Sequence, residues 1–140
     1  MSSMLGAIGI AASGMSAESL RMDVTSNNLA NADSTTGPNG KPYQREEVVL
    51  QAGGQSFATT LGNIQGGVQV SGIVNDPTPG QQIYDPSNPA ANKQGYVTMP
   101  NVNTVTEMTD LIDESRSYES DTQAMSTAKD MAEKTLDVLS

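Results

Sequence analysis

Four carboxylates bunch at Glu107, Asp110, Asp113 and Glu114. They are the one cluster whose residue types and spacing could hold a cation or move a proton. Acid–base chemistry near neutrality usually calls on histidine, and the chain has none. It also has no cysteine, which rules out disulfides and thiolate metal sites. Carboxylates at helical spacing then read as a solvated helix face. Asp85-Pro86-Ser87-Asn88-Pro89 resembles a calcium loop, but Pro89 stands where a ligand is needed and the central glycine is missing. Serine and threonine are plentiful, yet none has a partner base. The glycine-rich stretches lack the glycine–lysine order of a phosphate loop. The expectation is a protein that is not an enzyme, with no cofactor and no metal.

Charge narrows the partners. Sixteen acids against seven bases give a net charge of −9. A nucleic-acid binder needs a basic footprint, so no nucleic-acid partner is expected. Anionic lipid is equally unsuited. The opening Met1–Met15 stretch is apolar but has no basic n-region and no long unbroken apolar run. It predicts neither a cleavable signal peptide nor direct membrane insertion.

The elements that must position these residues follow from proline and glycine. All seven prolines lie between positions 38 and 100, and no glycine lies beyond 95. Both residues disfavour helix interiors. The chain therefore divides into an N-terminal helix (1–33), a turn-rich β linker or small domain (34–100) and a C-terminal helix (101–140). The fold class expected is mainly α with a small β element. The long terminal helices would pair as an antiparallel coiled coil around a β-hairpin-rich middle.

Both ends carry stripes at 3–4 spacing. On the first helix the seam residues are Leu5, Ile8, Met15, Met22 and Leu29. On the second they are Met108, Leu111, Tyr118, Met125, Leu136 and Leu139. Thr104-Val105-Thr106-Glu107 has the form of a capping box. Asn31-Ala32-Asp33 is a stop for the first helix. In the middle, Tyr43–Leu50 and Gly67–Val74 are the best strands and Gln55–Leu61 a weaker one, making a hairpin or a three-stranded element. Gly37-Pro38-Asn39-Gly40 predicts a tight turn.

Periodicity alone fits either a helical hairpin inside one monomer or an interface between subunits. Small and flexible stripe residues favour dense packing with other copies. A soluble helical adaptor or export chaperone that binds partner helices would use the same stripes. Asn27, Asn28 and Asn31 either end a helix or bond main chain where the loop begins.

Asn27-Asn28-Leu29-Ala30-Asn31-Ala32, a dozen residues after Ala12-Ser13-Gly14-Met15, resembles the N-terminal signature of flagellar axial proteins. Gly95-Tyr96-Val97-Thr98-Met99-Pro100-Asn101-Val102-Asn103 resembles more narrowly the short proximal-rod proteins of the flagellar basal body. Ser115-Arg116-Ser117-Tyr118-Glu119 and Lys129-Asp130-Met131 add to that likeness. The motif residues are Asn27, Asn28, Asn31, Tyr96, Pro100, Asn101, Asn103 and Arg116. The resemblance implies a structural rod subunit in the periplasm, exported without a cleavable signal. It would self-assemble through its terminal helices into a tubular drive shaft around the export channel. Implied partners are other copies of itself, the other proximal and distal rod subunits, and the export-gate adaptor at the rod base.

Overall fold

The computed structural model describes residues 2–37, 39–52 and 66–139. Helix α1 spans Ser2–Ala30 and helix α2 spans Thr104–Leu139. Between them lie strands β1 (Glu46–Ala52), β2 (Val68–Asn75), β3 (Gln82–Tyr84) and β4 (Tyr96–Thr98). The expectation of a mainly α chain with a small β part holds. The weaker strand Gln55–Leu61 lies outside the described residues.

The start of α2 is capped differently from the box read in the sequence. Asn103 is the cap: its Oδ1 accepts from Val105 N at 3.0 Å and Thr106 N at 3.2 Å. An asparagine at this place satisfies amides that have no partner inside the helix. The Glu107 side chain does not fold back to close a box, because Asn28 and Arg45 bind it instead. Helix α1 ends where Asn31-Ala32-Asp33 turn.

Among the described residues the strands form two separate antiparallel pairs. In the first, β1 and β2 run antiparallel, with Glu46 opposite Asn75 and Ala52 opposite Val68. A register shift at Val49/Leu50 marks a bulge. The second pairs Gln82 with Thr98 and Tyr84 with Tyr96. Its strands have only three residues each, too few for period-2 patterning to stand out. Side chains stabilise it: the Tyr84 and Tyr96 rings meet edge to face at 5.3 Å. Gly95 sits at φ 84 beneath the Tyr84 ring and Pro86, where a Cβ would crowd both.

Helix α1 packs against α2 and against both strands of the first hairpin. Asn28 meets Glu107 while Gly14 meets Asp121, so the two helices run in opposite directions. The hairpin lies along α1, from Glu46 near Asn28 to Val68, whose amide donates to Ser13 Oγ at 3.1 Å. Among the described residues the buried apolar side chains include Ala11, Ala17, Val24 and Val97. Glu107, Glu114, Thr25 and Asn28 are buried with them. Charged and polar groups enter such a place only when partnered.

Candidate functional site: a polar junction and the uncovered helix faces

Asn28 sits in the last turn of α1 and is 1% exposed. Its Nδ2 donates to the Glu46 carbonyl at 2.9 Å, and its Oδ1 accepts from the Glu46 amide at 2.9 Å. One side-chain amide thereby pairs with β1 as a neighbouring strand would. Nδ2 also donates to Glu107 Oε2 at 3.0 Å, and Tyr43 Oη donates to Oδ1 at 2.8 Å. Asn31 turns back on Asn27, donating to its carbonyl at 2.9 Å, and accepts from Ser34 Oγ at 3.1 Å. Asn27 Nδ2 reaches Tyr43 Oη at 3.4 Å.

Glu107 is also 1% exposed and accepts from Arg45 Nε. Arg45 spreads further, to Glu47 and to Asp110 at 3.5 Å. Burial works against the Arg45 charge, but Glu107 and Glu47 outweigh it and its pKa is raised. Burial, with Glu46 and Glu107 nearby, raises the Tyr43 pKa. Asn101 closes the far side: Oδ1 accepts from the Arg45 amide at 2.8 Å, and Nδ2 donates to the Asp76 carbonyl at 3.1 Å. The ends of both helices and both strands of the first hairpin are thus tied at one junction.

Of the remaining carboxylates of the acidic cluster, Glu114 is employed in structure. Glu114, 3% exposed, accepts from Thr25 Oγ1 at 3.1 Å and lies 3.5 Å from Arg21 Nε. Among the described residues, its Oε2 has no hydrogen-bond donor. Burial raises the Glu114 pKa, against the Thr25 hydrogen bond and Arg21. Asp113 is exposed. Asp85 accepts from Ser87 N and Oγ, which hold its pKa down. The segment that resembled a calcium loop is an Asx turn in the β3–β4 connection.

Among the motif residues, Asn27, Asn28, Asn31, Asn101 and Asn103 have the bonds described. Tyr96 is in the second hairpin and Pro100 is buried ahead of α2. Arg116 is exposed on α2 and makes no ion pair among the described residues. The sequence placed Tyr43 and Arg45 only within a strand and gave them no part in a site. Their only signal was an isolated arginine beside Glu46-Glu47, which no spacing rule connects to position 107.

The seam residues fall into two groups. Ile8, Met15, Met22 and Leu29 are half-buried along one flank of α1, and Leu111, Tyr118 and Met125 are half-buried on α2. Met108 and Leu136 face outward, each 55% exposed. The side chains of Leu5 and Leu139 lie outside the described residues. Outward with Met108 stand Val105 and Ile112, 72% and 53% exposed. Their spacing of three and four places them on one strip of α2.

The chain thus presents two opposed helices, a polar clasp and an uncovered apolar strip, but no reaction centre among the described residues. The family description "Flagella basal body rod protein" matches residues 8–38. "Flagellar basal body rod FlgEFG protein C-terminal" matches 93–138. The class defined is that of flagellar rod proteins, which are structural and not enzymes. The flagellar basal-body rod protein FlgC of Yersinia enterocolitica is 43% identical over 134 residues, 96% of each chain. The FlgC of Bacillus subtilis (strain 168) is 42% identical, covering 94% of this chain and 95% of its own. That of Buchnera aphidicola from Acyrthosiphon pisum is 44% identical over 97% of this chain. The chain belongs to the FlgC family of flagellar basal-body rod proteins. An adaptor or export chaperone, which the stripes alone left open, is not favoured.

Proposed function

We propose that this chain is a structural subunit of the flagellar rod whose helix pair is finished by contacts with neighbouring subunits. The observation that carries this reading is uncovered surface. Much of the exposed apolar surface is regular rather than scattered, as in the Val105, Met108 and Ile112 strip. Aqueous exposure of such a strip is unfavourable, and a neighbour's helix removes it from water.

In the assembly the two helices wind as an antiparallel coiled coil and form the inner tube-building unit. Residues 34–100 act as the linker that ties one subunit to the next. Ile8, Met15, Met22 and Leu29 sit at the edge of the intramolecular pair, where a second helix can cover their free halves, while Tyr118 and Met125 share the side of α2 that carries Leu111. Leu111 lies on the side of α2 that faces α1, so a charge there disturbs the pair before it disturbs assembly. Met108 and Leu136 belong to the outer face. Neighbours are copies of this chain and other proximal and distal rod subunits, with the export-gate adaptor at the base. The rod so built crosses the periplasm, carries torque and encloses the export channel. No described helix is long and apolar enough to cross a membrane.

The test is Met108→Asp combined with Ile112→Asp. Both side chains face outward, so the purified double variant should keep the circular dichroism of the parent. A strain carrying it should secrete the subunit yet lack complete rods and swim at no measurable speed. Full rods and normal motility would refute the outer-strip assignment.

A further inference from the structure

Three facing pairs along the helices are polar, and they recur with one step. On α2 the row is Glu107, Glu114 and Asp121, each seven residues from the last. On α1 the facing row is Asn28, Arg21 and Gly14, also seven apart and in the opposite direction. Asn28 donates to Glu107 at 3.0 Å. Arg21 is 3.5 Å from Glu114, which Thr25 holds at 3.1 Å. A Cβ at Gly14 would overlap the Asp121 carboxylate. Between these layers the same step sets buried Ala17 beside half-buried Tyr118, and buried Val24 beside half-buried Leu111.

We infer that two of these layers, Asn28–Glu107 with Arg45 and Gly14–Asp121, select the register of the helix pair. The apolar layers cannot do so alone. A slip of seven residues would bring Val24 against Tyr118, or Ala17 against Leu111, and leave an apolar interface of similar kind. The polar layers do not all change under the same slip. Shifted one way, Glu114 meets Gly14, where the shorter Asp121 already fills the space. Shifted the other way, Asn28 meets Glu114 and Arg21 meets Asp121, pairs of the same kind, but Ala128 meets Gly14 and leaves a void, and Glu107 loses Asn28 and Arg45. A buried polar group that is satisfied in one register and stranded in another discriminates between them without adding much net stability. The register fixes which outer residues of the two helices stand level. It rests on the helix pair itself and not on the rod reading.

The absence of cysteine from the sequence makes the register directly measurable. Ala17→Cys with Tyr118→Cys reports the observed register, and Ala17→Cys with Met125→Cys reports a slip of one heptad. Each pair is placed in the full chain and oxidised under identical conditions. The first pair should cross-link at least tenfold faster than the second. Adding Glu107→Leu and Asp121→Ala should bring the two rates within about twofold, with helical circular dichroism retained. If that variant loses its helicity, Glu107→Gln with Asp121→Ala, which keeps an acceptor for Asn28, should narrow the ratio at least threefold. Unchanged preference for the first pair in either helical variant would overturn the inference. So would equal cross-linking of both pairs in the otherwise unaltered chain.

Discussion

Asn28 shows how much one amide can do when every atom of it is used. Its two polar atoms serve β1, Tyr43 and Glu107 at once. A carboxylate in its place would keep the shape but set an oxygen against two acceptors, the Glu46 carbonyl and the Glu107 carboxylate. Asn28→Asp should therefore be worse than Asn28→Ala, because it sets a second negative charge against the buried Glu107. The expected losses are about 2 kcal/mol for Ala and about 4 kcal/mol for Asp, read from urea midpoints at neutral pH. Equal losses would mean that the Glu107 contact is energetically idle. Glu114 makes an opposite case. Burial raises its pKa while Arg21, Glu18 and Asp110 face it from both helices. A carboxyl whose folded pKa lies above its unfolded value stabilises most when protonated, and that contribution fades as pH rises through the folded pKa. Glu114→Gln should thus be more stable than the parent near about pH 7, with the gap closing towards about pH 4. A gap that is constant across that range would refute the assignment. None of these roles was legible from residue types, because the partners lie 89 and 79 positions away.

The elements were more legible than the contacts. Both long helices, the first hairpin and the turn at 31–33 follow from where proline and glycine fall and from 3–4 spacing. Two things were not legible. One was the second hairpin, whose three-residue strands are too short to show a pattern. The other was which stripe faces inward. The apolar stripe of α1 passes through Ala12, Ser19 and Ser26, which are exposed, while Ala11, Ala17, Val24 and Asn28 are buried. The inner face is small and polar, so apolar periodicity points beside it rather than at it. The cap and the glycines give tests at this scale. Asn103→Ala should cost about 1 kcal/mol and speed amide exchange at Val105 and Thr106. A Cβ at Gly9 meets nothing within 4 Å, so Gly9→Ala should stabilise α1 by up to about 1 kcal/mol. Gly14→Ala should gain clearly less, because Asp121 must give way. Equal thermal midpoints for the two variants would show that the Gly14 notch is open.

For the whole molecule, the unequal distribution of cover predicts an order of opening. The junction near Asn28, Arg45, Asn101 and Glu107 joins four segments of chain through side chains that are buried or half-buried. Towards the far end of α2 the cover falls away. Met131 and Leu136 are 57% and 55% exposed, and the ion pair Lys129–Glu133 is on the surface at 3.8 Å, worth a few tenths of a kcal/mol. Local stability follows buried contacts, and long helices without tertiary cover fray. In the isolated chain, amides of 24–28 and 107–114 should therefore exchange slowest and those of 124–136 fastest. Polymerisation should change the second group most, since neighbours supply the cover that those residues lack. Hydrogen exchange read before and after assembly checks both statements. Uniform protection along α2 in the monomer, unchanged in the polymer, would mean that the far helix end is already complete. The outer strip would then need another explanation than a neighbouring subunit.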